Sequence, residues 1–462
     1  MSILYIDIES RSKCDLKKQG VYNYAKDPST SVICMAYAFD DADVQLWTPG
    51  LKLPLALIKH TGQIRAHNAA FERLVLRKFG MPYLDSQYYC TAAQARANCF
   101  PGSLADVARF AGTDMRKDHR GALLIRKLCV PQPDGAFNDD PALMAEMYEY
   151  CMQDVRTMRE VSQAMRELTR DELADYHANE RINDRGVRID YDLAQSAVRY
   201  SGAELSEIKA LVSDITCGEV KSTKSPRLRA WVHERVPVMM QEMMVGANGR
   251  PSIDKNVRAN LLAFIEEYPD AVSPPIADVI QCADDAAAAS TAKFARLIGL
   301  SDLADNRVRG AFVFAGGAAT GRASSYGAQV HNFPRKCVKE ADACRARMET
   351  GDTLTPAFGN RITDVLKGML RPALIPSPGC SFVVADWSSI EARVTPWASG
   401  GVSGDAKLDL FRANADVYIT NAAATFKIGV DDVTSDQRQV GKVQELACGF
   451  AGGVGAFHAM GR

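Results

Sequence analysis

Short runs dominated by apolar and β-branched residues open the chain. Ile3–Ile8, Ser31–Ala38 and Val44–Trp47, separated by turn residues, each predict a β-strand. A further apolar run ends at Ala66, and Phe71–Phe79 then reads as a helix closed by Gly80. Pro141 to Arg166 carries a long helical pattern, with Pro near its start and mixed charge on its outer face. Strands first and packed helices later predict a mixed sheet of α/β class. From Leu168 to about Leu300 the pattern is mostly helical, interrupted at Thr216–Pro226. Within it Asp284–Leu300, rich in Ala, predicts one strong helix. Small residues from Gly310 to Gly327 predict strands and loops lying close to something. Ser381–Ala385 predicts a strand running into Asp386, and Asp436 to about Phe450 a helix followed by Gly452-Gly453.

Composition adds bounds. A chain of 462 residues suggests two to four domains, and 47% hydrophobic with 24% charged residues is ordinary for a globular protein. No apolar run approaches the roughly 18–20 residues of a membrane span. The first residues lack a basic n-region, so the reading is a cytoplasmic protein without membrane attachment. Twelve cysteines show no metal-ligand spacing and read as reduced core thiols. Net charge is −1, but Lys293 to Arg347 holds ten Lys/Arg against four acids. That excess suits phosphate contacts, and equally an ordinary solvated face.

Three groups of residues carry candidate chemistry in the first part. Alternation puts Asp7 and Glu9 on one face of their strand, where two carboxylates repel unless a cation or proton lies between them. Taken alone, the pair is equally a strand end at the solvent edge. Glu72 falls in the first turns of a helix after His67-Asn68-Ala69-Ala70-Phe71, and Tyr150 and Asp154 lie four apart on one helical face. In this order, Asp-x-Glu, Asn-x-x-Phe-acid and Tyr-x-x-x-Asp resemble the DEDDy 3′→5′ exonucleases, over about the first 165 residues. The resemblance implies a ribonuclease H-like fold in which Asp7, Glu9, Glu72 and Asp154 hold two Mg²⁺ ions (Mn²⁺ as an alternative) and Tyr150 orients the attacking water. The family's third acid is usually Asp. Glu72 moves the carboxylate by about one bond length, a shift large enough to matter for rate, yet activity is expected.

The rest of the chain resembles family A (polymerase I-like) DNA polymerases. Asn183-Asp184-Arg185-Gly186-Val187-Arg188-Ile189-Asp190 matches the start of their polymerase region, and Ser290-Thr291-Ala292-Lys293-Phe294 their thumb segment. Thr320-Gly321-Arg322 and Gln329-Val330-His331-Asn332-Phe333-Pro334-Arg335 match segments that hold primer–template DNA, which implies that role for Lys293, Arg322, Gln329, Asn332 and Arg335. Asp386-Trp-Ser-Ser-Ile-Glu391-Ala-Arg393 looks like motif A: Asp386 would bind catalytic metal and Glu391 would crowd a ribose 2′-OH. Arg438, Lys442, Leu446 and Phe450 recur every four residues, two cations then two apolar side chains. They resemble motif B of the phage branch, which implies binding of the dNTP triphosphate by the cations and of sugar and base by the other two.

The domains expected are an exonuclease over 1–167, a linker and helical thumb over 168–300, and a partial palm and fingers over 301–462. A second metal-binding Asp in a motif C turn is not found in the sequence. The chain alone is therefore expected not to polymerise, being either a truncated product or one piece of a split polymerase that a second chain completes. Three functions remain open: a polymerase with proofreading exonuclease, an exonuclease with a vestigial polymerase region, or a non-catalytic DNA-binding remnant.

Overall fold

The computed structural model describes residues 2–112, 120–223, 226–246, 249–287, 292–317, 319–449 and 452–460. The chain divides into two units, Met1–Cys380 and Ser381–Arg462. The division falls inside the stretch 301–462 assigned from sequence to palm and fingers.

The first unit is built on a five-stranded sheet of β1 (Ile3–Arg11), β2 (Ser31–Phe39), β3 (Gln45–Trp47), β4 (Gln63–Ala66) and β5 (Tyr88–Cys90), in the order β3-β2-β1-β4-β5. β1 runs antiparallel to β2 and parallel to β4, and β4 is parallel to β5. Four of the five strands lie where apolar runs predict them; the three-residue β5 was not anticipated. β1 divides two cores. Leu4, Ile6 and Ile8 pack with Tyr24, Val75 and Leu76 on one side, which places α1 (Leu16–Lys26) and α2 (Ala70–Lys78) there. Tyr5 packs with Cys34, Ala36, Met147 and Cys151 on the other, against α3 (Pro141–Ala164). Opposite parity along a strand means opposite faces, so Asp7 and Glu9 share the α3 face with Tyr5.

α3 starts where the sequence marks it. The Asp140 carboxylate accepts from the amides of Ala142 and Leu143 at 2.9 and 3.0 Å, and Pro141 occupies the first turn. α4 (Arg170–Arg185) opens on a capping box, in which the Thr169 hydroxyl accepts from the Glu172 amide and the Glu172 carboxylate from the Thr169 amide. Helix α5 (Tyr191–Ile215) follows, ending where the irregular stretch at 216 was expected.

The single helix expected over 284–300 is interrupted. α6 (Pro274–Ala286) is capped at Ala287, residues 288–291 lie outside the described residues, and α7 covers Ala292–Leu300. Alanine propensity favours helix but sets no boundary, and the tertiary packing of Ile280 and Phe294 into separate cores decides it. Beyond α7, β6 (Phe312–Gly317) and β7 (Arg322–Ser325) form an antiparallel hairpin.

In the second unit the described residues contain α8 (Ile390–Ser399), α9 (Val417–Phe426) and α10 (Ser435–Gly449), with further helices at Gly401–Arg412 and Val454–Met460, and no strand. The strand expected at 381–385 does not form. Phe382, Val383 and Val384 are 54%, 96% and 89% exposed, and among the described residues none pairs with them. β propensity expresses the fit to a sheet neighbour, and an apolar run without one stays irregular.

Candidate active sites

β1 places Asp7 opposite Ala36 and Glu9 opposite Cys34. Both acids are half-buried, whereas Glu72, Tyr150 and Asp154 are 3–5% exposed. Glu72 sits in the first turn of α2. Burial raises its carboxyl well above the usual range, and the negative charges of Asp7 and Glu9 add to that. Its Oε2 is buried without a hydrogen-bond partner. On α3, the Tyr150 hydroxyl hydrogen-bonds Asp154. Burial first, then the charges of Asp154, Glu9 and Asp7, hold the phenol strongly protonated. Asp7 and Glu9 thus act on both Glu72 and Tyr150, and Asp154 acts on Tyr150. These residues do not form a closed ligand cage: among the described residues no group of three or more His, Cys, Asp or Glu could hold a metal ion. A buried, unsatisfied carboxylate oxygen beside a second acid fits the needs of a divalent cation.

Two neighbours of this site were not legible in the sequence. The buried Cys151 thiol donates to Asp7 Oδ2 at 3.4 Å, and burial, followed by a hydrogen bond with Cys34 and the charge of Asp7, keeps it a thiol. Gly121 lies against the Tyr150 ring: a Cβ there would stand 2.3 Å from Cε2 and 2.7 Å from the hydroxyl oxygen. Gly121→Ala is therefore expected to displace Tyr150 and lower strand shortening by up to about a hundredfold. Single-turnover cleavage of a 5′-labelled oligonucleotide measures this, and a rate within about twofold of wild type would contradict it.

Downstream, the basic stretch offers exposed side chains. Arg322 stands on β7, after a Thr320-Gly321 turn in which Gly321 takes φ +65°. Gln329, Asn332 and Arg335 are exposed. Lys293 on α7 donates to the Asn332 carbonyl at 2.8 Å and lies 5.2 Å from the centre of the Phe333 ring, with burial lowering its pKa. Lys293 and Asn332 are thus brought together. Ser290 and Thr291 lie outside the described residues.

In the second unit Asp386 and Glu391 are exposed, Glu391 in the first turn of α8. Arg393 donates to the Ser388 carbonyl at 2.9 Å, and its guanidinium lies 4.3 Å from the centre of the Phe411 ring. α10 carries Arg438, Lys442 and Leu446 at successive turns; Phe450 lies outside the described residues. Arg438 donates through Nε and Nη2 to Asp416 Oδ2 at 2.9 and 2.8 Å, and Asp416 also caps the start of α9. A pocket of about 330 Å³ brings Ser388, Ser389 and Arg393 together with Asp416, Tyr418 and Arg438.

Gly441, between the two cations, fixes the helix crossing. A Cβ on it would meet the Tyr418 carbonyl oxygen at 2.2 Å and the Ala422 nitrogen at 3.0 Å. Gly441→Ala is expected to push α10 off α9 and cost about 1–3 kcal/mol, read as a lower melting temperature. An unshifted transition would contradict that.

A model of DNA polymerase family A matches residues 207–458, more than half of the chain. The chain belongs to DNA polymerase family A. It is 32% identical to the DNA polymerase of Bacillus phage SP02, over all of this chain and 71% of the relative. A shorter match, 30% identical over 140 residues, is to DNA polymerase I of Pseudomonas aeruginosa, covering 30% of this chain and 12% of that one. Among solved structures, the polymerase domain of Pol1 from M. smegmatis, in complex with DNA primer–template and dNTP, superposes with a TM-score of 0.52 at 15% identity. The match covers 99% of this chain and 71% of that one, and it bears on fold alone. As a family A polymerase, the chain is a DNA-directed DNA polymerase, and enzymes of this family use divalent metal ions. No described helix is long and apolar enough to cross a membrane.

Proposed function

We propose that this phage-type polymerase chain carries a 3′→5′ exonuclease in its first 167 residues, besides the segments that hold primer–template and dNTP. The observation that supports it best is the buried Glu72 carboxylate, with an unsatisfied oxygen, under the charges of Asp7 and Glu9. The sheet order β3-β2-β1-β4-β5, with its mix of antiparallel and parallel pairs, fits a ribonuclease H-like domain.

Asp7, Glu9, Glu72 and Asp154 would hold two Mg²⁺ or Mn²⁺ ions. When bound, the ions make a water nucleophilic and balance charge on the leaving 3′ oxygen. Tyr150 stays a neutral phenol, so it serves as a hydrogen-bonding guide and not as a base. Glu72 must shed its proton to accept a cation.

On the polymerase side, Lys293, Arg322, Gln329, Asn332 and Arg335 contact the DNA. Asp386 binds catalytic metal and Glu391 faces the sugar. Arg438 and Lys442 take the triphosphate, with Leu446 and Phe450 beside sugar and base. The exposed run 381–385 becomes a strand when a further segment, of this polypeptide or of a second chain, pairs with it and supplies the other palm carboxylate. The setting is the host cytoplasm. A 5′-labelled primer–template incubated with Mg²⁺ tests the exonuclease: shortening that stops on chelation is expected, and none at all would sink it.

A further inference from the structure

Arg73 follows Glu72 on α2 and points away from the carboxylates into a buried polar knot. It is 2% exposed. Its two terminal nitrogens donate to both oxygens of Asp184 on α4, at 2.7 and 2.8 Å, and one of them also to Glu180 at 3.2 Å. The Tyr22 hydroxyl donates to Asp184 at 2.6 Å. Burial alone would raise the Asp184 carboxyl, but these donors hold it below the usual range. The next residue back, Asn183, is buried and grips β6: its amide oxygen accepts from the Phe312 amide and its amide nitrogen donates to the Phe312 carbonyl, both at 2.9 Å. Arg309 donates to the Asp184 carbonyl at 2.9 Å. An unbroken set of directional contacts therefore joins the helix of Glu72 to the β6–β7 hairpin that carries Arg322.

The energetics say what this arrangement supplies. A buried ion pair gives little net stability over well-packed apolar groups, because desolvating the charges offsets their attraction. A two-pronged guanidinium–carboxylate pair does fix direction. Glu72 Oε2 has no hydrogen bond, and the hydrogen bond that the carboxyl accepts from its own backbone amide ties it to α2 alone; the setting of α2 must therefore place it. We propose that Arg73 and Asp184 are positioning residues for the Glu72 carboxylate, setting the exonuclease metal site from the polymerase side of the first unit. This rests on the exonuclease reading given above.

The test uses the full chain and two readouts. Mn²⁺ binding is followed by the electron paramagnetic resonance of the free ion, with Asp7→Ala/Glu9→Ala identifying the exonuclease sites. Cleavage of single-stranded DNA gives kcat and KM. Arg73→Lys keeps the charge without the fork, and Asp184→Asn keeps the shape; melting curves report whether each is folded. Both folded variants should lose Mn²⁺ affinity at the Asp7/Glu9-dependent sites by about 10- to 100-fold, with a matching fall in kcat. KM for DNA should change by less than about threefold, because neither residue touches the strand. Wild-type Mn²⁺ affinity and kcat in either folded variant overturn the proposal. Should the wild-type chain itself show no Asp7/Glu9-dependent Mn²⁺ binding and no cleavage, the exonuclease reading is what fails, and this inference with it.

Discussion

Replacing Asp7 and Glu9 together by Ala is expected to remove the proposed exonuclease while leaving the polymerase segments intact. The expected loss in shortening of a 5′-labelled primer is at least on the order of a thousandfold, the scale seen when one preorganised electrostatic element of a catalytic site is deleted. Two effects combine. The site loses two of its four acids, so cations are no longer drawn in. Glu72 also loses the charges that, after burial itself, hold its carboxyl up, so it settles further toward an ordinary buried acid. The fold should survive, because both side chains are half-buried and the cores on either side of β1 are built from other positions. Unchanged shortening by the double variant would show that the carboxylates do not carry the reaction.

The second large effect is expected on α10. Arg438→Ala with Lys442→Ala should weaken dNTP binding by about 10²- to 10⁴-fold. Each charge-assisted hydrogen bond to a phosphate contributes on the order of 1.5–3 kcal/mol, and one factor of ten is about 1.4 kcal/mol. Arg438 is already aimed by Asp416 and lies 5.3 Å from the centre of the Tyr418 ring, so its charge is placed before nucleotide arrives. Binding of a dNTP followed by equilibrium titration decides the point without requiring extension. Affinity within about threefold of wild type would exclude these two residues as the triphosphate contacts.

Much of the first unit's sheet and long helix could be read directly, because strand alternation and caps are local signals. Asp140 before Pro141, and Thr169 three residues before Glu172, are such signals. The candidate site was also readable in outline: Asp7 with Glu9, and Tyr150 with Asp154, follow from periods of two and of about four. What escaped depends on distant partners. Nothing around Arg73 announces Asp184, and nothing around Gly121 or Gly441 announces the ring or carbonyl each must clear. The run 381–385 shows the same limit from the other side: its composition asks for a sheet, but a strand exists only with a neighbour.

β1 has one more consequence. Its even positions, Leu4, Ile6 and Ile8, sit in one core, while the odd positions present Tyr5, Asp7 and Glu9 to the other face. A slip of one residue against β2 would turn every side chain over at once. Two carboxylates would then enter an oily layer and three aliphatic side chains would leave it. The mispaired sheet is therefore rejected by the very groups that are useless in it, and each molecule that completes this sheet has, in doing so, already proofread the placement of its own acids.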